Sequence, residues 1–120
     1  MKTLLLVDDN EYFRRSLSIG LEDEGYVVYE AGGGMEALEF LQNAPLKDIH
    51  IEGVIVDARM PGLDGFLLYD QIMSMDRSIK VMILSAHAYP EQMHQYTILT
   101  KPISIPALID VIENGVYEPN

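Results

Sequence analysis

The sequence contains no cysteine. Disulfides and thiolate metal centres are therefore excluded, and a reducing compartment such as the cytoplasm suits the chain. Long hydrophobic runs are missing too. No apolar stretch exceeds about half a dozen residues, against the roughly twenty needed to cross a bilayer. The opening Met-Lys-Thr with Leu4–Val7 resembles a secretion signal only at first glance. It meets Asp8-Asp9 at once and has no small-residue cleavage site. Basic residues are scarce: 8 Lys and Arg against 19 Asp and Glu leave a net charge of −11. A surface of that sign repels nucleic acid and anionic membrane and favours partners with basic patches. Repeats, linkers and low-complexity segments are also lacking. The expectation is one domain over residues 1–120, with 116–120 as a short tail.

Hydrophobic residues make up 48% of the chain and charged ones 22%, the balance of an ordinary globular protein. Short apolar runs alternate with helical patterns, as in βα units around a parallel sheet. The runs are Thr3–Val7, Val27–Glu30, Gly53–Val56, Lys80–Leu84 and Thr97–Leu99. The first, third and fourth hold continuously apolar stretches, as strands covered on both faces do. A first helix is expected from Asn10, an N-cap, to Glu24 with Gly25 as its stop, burying Phe13, Leu17 and Leu21. A second, near Met35–Gln42, should bury Met35, Leu38 and Leu41 and close at Ala44-Pro45. The third spans about Gly65 to Met75 and buries Phe66, Leu68, Tyr69, Ile72 and Met73 in part. Only Tyr89–Gln95 is left for a fourth, roughly two turns. The last starts at Ser104, carries Pro106 in its first turn and ends before Gly115.

In an open parallel sheet, ligands bind where the strands end. Asp8-Asp9-Asn10 follow the first run, Asp57-Ala58-Arg59 the third, Ser85-Ala86-His87 the fourth and Lys101-Pro102 the fifth. Right-handed crossovers put these strands at or beside the centre of the sheet. Carboxylates that close repel one another by kilocalories, and a hard divalent cation relieves them. A carboxylate beside such a cation can attack phosphorus and form an acyl phosphate. A cation, an ammonium and backbone N–H groups would stabilise the charge spread over the transferring phosphoryl group.

Asp8-Asp9, the stretch Asp57-x-x-Met60-Pro61-x-x-Asp64-Gly65, Ser85-Ala86 and Lys101-Pro102, in that order and each after a strand, resemble the receiver domain of two-component response regulators. The resemblance covers nearly the whole chain. It implies a flavodoxin-like α/β fold, a doubly wound sheet of order 2-1-3-4-5 with helices on both faces. It also implies that Asp57 accepts a phosphoryl group from a histidine kinase or phosphotransfer protein in a Mg²⁺-dependent reaction. Asp9, Asp57 and the Arg59 carbonyl would ligate Mg²⁺, with Asp8 acting largely through water. Lys101 would contact the phosphoryl oxygens and Ser85 would swing toward them as a switch. The bond before Pro102 is usually cis in the family. Side chains two positions past the acceptor and past the switch hydroxyl, here Arg59 and His87, tune dephosphorylation in receivers.

Other motifs carry less. Gly32-Gly33-Gly34 lacks a P-loop lysine and reads as a loop. His50, His87 and His94 share no metal-ligand spacing, and Tyr12, Tyr26, Tyr29, Tyr69, Tyr96 and Tyr117 read as half-buried packing residues. The sequence departs from the family in the 16 residues from Ser85 to Lys101, roughly six fewer than usual, or more than one helical turn. The loss falls on the fourth helix. Where receivers usually carry an aromatic residue three positions before the lysine stands Ile98, with Tyr96 on the same side of the strand. The stretch Ala44–Glu52 is slightly long. A small hydrolase with an aspartyl-phosphate intermediate fits less well, because haloacid-dehalogenase-type phosphatases need a second acid where Arg59 stands. A degenerate receiver acting as a phosphorylation-independent interaction module is the alternative that the short fourth helix favours. The intact acids, Ser85 and Lys101 oppose it.

Overall fold

The computed structural model describes residues 2–87, 89 and 95–115. Five parallel strands form one sheet of order β2-β1-β3-β4-β5: β1 (Thr3–Val7), β2 (Val27–Ala31), β3 (Gly53–Asp57), β4 (Lys80–Ser85) and β5 (Ile98–Thr100). They match the apolar runs to within a residue or so, with β5 shifted one residue forward. The continuously apolar strands are buried on both faces. Leu4, Leu6, Ile55, Met82, Leu84 and Leu99 pack on one side, and Leu5, Val7, Val54, Val56, Val81 and Ile83 on the other. Four α-helices cover these faces among the described residues: α1 (Glu11–Asp23), α2 (Gly34–Asn43), α3 (Gly65–Met75) and α4 (Ile105–Asn114). α1 and α4 close the first face, α2 and α3 the second. This is the expected doubly wound fold. The helix expected over Tyr89–Gln95 lies, apart from its end residues, outside the described residues.

Local chemistry sets the helix ends. The Asn10 side chain accepts the Phe13 N–H, Asp64 that of Leu67 and Ser104 that of Ala107, each satisfying an orphan donor of a first turn. α4 stops at Gly115, whose φ of 70° is left-handed. α2 ends at Asn43, so Ala44-Pro45 closes it as expected. The chain tightens into a 3₁₀ turn over Ala44–Lys47 and leaves it through Asp48 in a left-handed conformation. Tyr26 donates its hydroxyl to Glu113, tying the start of β2 to the end of α4.

Two expectations about burial are corrected. Met35 is 70% exposed; the buried residues of α2 are Gly34, Ala37 and Leu41. Leu41 is buried and Leu38 partly buried, as expected, so the stripe extends toward Gly34 and Ala37 and only Met35 falls off it. α2 packs closely through its small residues, since a Cβ on Gly34 would sit 2.8 Å from the Leu63 side chain. Tyr12 is 89% exposed rather than half-buried. It is one residue before Phe13, about 100° away from the stripe of Phe13, Leu17 and Leu21 that faces the sheet. Of the remaining tyrosines, Tyr26 is buried and Tyr29, Tyr69 and Tyr96 are partly buried, while Tyr117 and His94 lie outside the described residues. His50 and His87 are exposed.

Candidate functional site

Strand register builds the site. Val7 pairs with Val56 across β1 and β3, so the next residues, Asp8 and Asp57, come level at the carboxyl rim. Asp57 pairs with Leu84 of β4, and Leu84 with Leu99 of β5, which brings Lys101 into the next step of the same rim. Side chains alternate faces along a strand. Asp8 therefore shares the α1-facing side with Leu4 and Leu6, Asp57 with Ile55, and Lys101 with Leu99.

The geometry follows. One carboxylate oxygen from each of Asp8, Asp9 and Asp57 lies within 4.8 Å of the others. The Lys101 ammonium stands 3.0 Å from Asp57 Oδ1 and 4.0 Å from Asp8 Oδ2. It also lies 4.4 Å from the centroid of the Phe13 ring. Asp8 is buried, Asp57 intermediate and Asp9 exposed. Burial pushes the Asp8 carboxyl above its ordinary value. The Asn10 N–H and the Lys101 ammonium oppose that rise, and the charges of Asp57 and Asp9 add to it. The loop is braced from behind: the Asn10 N–H donates to Asp8 Oδ1 at 2.9 Å, and Arg14 Nη1 donates to the Asp8 carbonyl at 2.7 Å. Arg14 and Arg15 both bind Glu30 of β2. The bond before Pro102 is cis.

Gly65 is required by close approach. A Cβ there would lie 2.5 Å from the Asp57 carbonyl oxygen and 3.0 Å from Ala58 Cα, so α3 starts directly against the end of β3. Arg59 is exposed and lines an open groove of about 680 Å³ with Met60, Pro61, Asp64, Phe66 and Tyr89.

Ser85 is the last residue of β4, one position past the Leu84 that pairs with Asp57. It shares the α3-facing side with Ile83, and its buried hydroxyl is held by the loop that follows. It accepts the His87 N–H at 3.0 Å and donates to the His87 carbonyl at 2.9 Å. Tyr96 packs edge-on against Phe66 and Tyr69, with centroids at 5.0 and 4.8 Å, and its hydroxyl reaches the Asp70 carboxylate. It is therefore directed at α3. The sequence brought Phe13 forward only as a core residue, and Arg14 not at all. Phe13's N3 position, directly after the capped acidic loop, was the available signal.

The sequence model of the response regulator receiver domain matches residues 4–113. The chain belongs to this family, whose known role is to accept a phosphoryl group in two-component signalling. It is 34% identical to the transcriptional regulatory protein GlrR of Escherichia coli K12 over 96% of its own length and 26% of that regulator. It thus spans about a quarter of that relative. It is 29% identical to the chemotaxis protein CheY of Halobacterium salinarum, over 94% of this chain and 95% of CheY. The crystal structure of the chemotaxis regulator CheY4 of Vibrio cholerae superposes with a TM-score of 0.82 at 27% identity, covering 97% of this chain and 99% of that one. No helix among the described residues is long and apolar enough to cross a membrane.

Proposed function

We propose that Asp57 is the phosphoryl acceptor, and that Asp8, Asp9 and Lys101 assist the transfer. The observation that carries this reading is the Lys101 ammonium 3.0 Å from Asp57 Oδ1, in a pocket walled by two further carboxylates. An Asp57 carboxylate oxygen attacks phosphorus in line. The phosphorus–nitrogen bond of a phosphohistidine breaks, and its electron pair stays with the imidazole. Lys101 shifts from the carboxylate to the phosphoryl oxygens, whose negative charge it offsets. Ser85 leaves the His87 backbone and donates to the same oxygens, which moves the loop and the surface beyond it.

The donor set fits Mg²⁺. All three side chains offer hard oxygen, the ligand type that Mg²⁺ takes, and one oxygen from each lies within 4.8 Å of the others. Asp9, Asp57 and the Arg59 carbonyl would hold the ion, with Asp8 acting through water. The ion supplies charge neutralisation between acceptor and donor. Exposed Arg59 and His87 shield the acyl phosphate from water. Replacing both with alanine is expected to change the dephosphorylation rate several-fold, as followed by intact mass after removal of donor.

The donor partner is a sensor histidine kinase or phosphotransfer protein. The chain is a signalling acceptor in the cytoplasm that assists only its own phosphorylation and dephosphorylation. Its charge of −11 argues against contact with nucleic acid or membrane. Incubation with acetyl phosphate is expected to give one Mg²⁺-dependent phosphoryl adduct in the wild type and none in Asp57→Asn. An adduct of equal yield in the mutant, or none with either acetyl phosphate or a phosphorylated kinase domain, would overturn the reading.

A further inference from the structure

The Lys101 side chain carries four rotatable bonds and about 2 kcal/mol of rotamer entropy, yet the reaction needs its ammonium at one place. Two carboxylates attract it, at 3.0 and 4.0 Å, and both would also accept its N–H groups and repel an incoming phosphoryl oxygen. The third contact has a different character. The Phe13 ring lies 4.4 Å from the ammonium, inside the range of cation–π attraction. An aromatic face draws a cation but offers no lone pair that competes for its N–H groups.

The ring is itself held by the pocket. Asp8 Oδ1 accepts the Asn10 N–H at 2.9 Å, and Asn10 Oδ1 accepts the Phe13 N–H at 3.0 Å. This short relay runs from an acid of the site to the backbone that carries the ring. Leu17, Ile55 and Leu84 pack around the same spot, together with Asp57 and Asp8, and leave a void of only about 10 Å³. That is at the lower limit for one water, so the wall between Asp57 and α1 is closely packed. With the ammonium only partly exposed, its attraction to the ring is stronger than it would be in bulk solvent.

We propose that Phe13 is a positioning residue for phosphoryl transfer, its ring face seating the Lys101 ammonium beside Asp57 while leaving N–H groups free for phosphoryl oxygens. The inference rests on the receiver reading of the site. It goes beyond that reading by assigning a role to a side chain that would otherwise be core. On the ring, the ammonium can transfer a hydrogen bond from Asp57 to the phosphoryl group without losing its seat.

The test replaces Phe13 site-specifically with phenylalanines bearing one, two and three ring fluorines, which weaken the face potential in steps with little change of shape. The phosphorylation rate constant from acetyl phosphate at saturating Mg²⁺ is then read by intact mass. A stepwise fall is expected, about threefold to tenfold over the series, with thermal unfolding midpoints nearly constant. Phe13→Tyr should keep most of the rate and Phe13→Leu should match the trifluorinated protein. A flat fluorine series, even with a slow Phe13→Leu, would show that the ring only packs and would overturn the inference alone. A wild type that takes no phosphoryl group from either acetyl phosphate or a phosphorylated kinase domain would overturn the receiver reading and this inference together.

Discussion

Asp8 shows at the scale of one residue how a site is held against its own stability. It is buried beside two other carboxylates, and burial raises its pKa. Asp8→Asn keeps an acceptor for the Asn10 N–H and removes the charge. The metal-free protein should then melt higher, by about 3–6 °C for a gain of roughly 1 kcal/mol in a domain of this size. Mg²⁺ should raise the wild-type midpoint by mass action and the mutant's less. A lower metal-free midpoint in the mutant would mean that the Asp8 charge is structural. Glu30 behaves in the opposite way. Burial raises its pKa, but Arg15 and Arg14 outweigh that and leave it below the ordinary 4.5. A lowered folded-state value gives stability that is present above 4.5 and lost as pH falls through the folded value. Melting curves of Glu30→Gln against wild type should differ at neutral pH and converge below 4.5. A constant gap across that range would contradict the assignment.

Elements place those residues, and the place where α3 meets β3 is the tightest. Gly65→Ala puts a Cβ 2.5 Å from the Asp57 carbonyl oxygen, which either shifts α3 or tilts the end of β3. A loss of about 1–3 kcal/mol in urea unfolding is expected from overpacking, with slower phosphorylation because the acceptor moves. Unchanged stability and rate would show that the junction yields freely. Much at this scale was legible in the sequence. Apolar runs of strand length marked the sheet, and Asn10, Ser104 and Gly115 marked helix ends through their own hydrogen bonding or φ. What was not legible was that the buried stripe of α2 extends from Leu38 and Leu41 to Gly34 and Ala37 rather than to Met35. Three apolar residues in a short helix fit more than one stripe, and the choice was made by glycine and alanine, which pattern reading weighs little. Phe13 was legible as a core position. Its contact with Lys101 was not, because it joins residues 88 positions apart through strand order and register.

Over the whole molecule, one topology gathers the chemistry. Order 2-1-3-4-5 sets β1, β3, β4 and β5 side by side, and parallel register delivers their last residues to a single rim. The acids and Lys101 were therefore readable as a set once the strands were. Ser85 is the last residue of β4 rather than the first after it, and pairing alone could not show its hydroxyl bound to the His87 backbone. Ile98 fills the place of the usual aromatic, and Tyr96 stacks on Phe66 and Tyr69 of α3.

The identity of the carboxylate that takes the phosphoryl group can be read chemically. Borohydride reduces an aspartyl phosphate to homoserine, which peptide mass mapping locates. After phosphorylation with Mg²⁺ and acetyl phosphate, homoserine is expected at position 57 and nowhere else. Homoserine at position 8 or 9, or phosphorylated protein that yields none at 57, would contradict the assignment of Asp57 as acceptor.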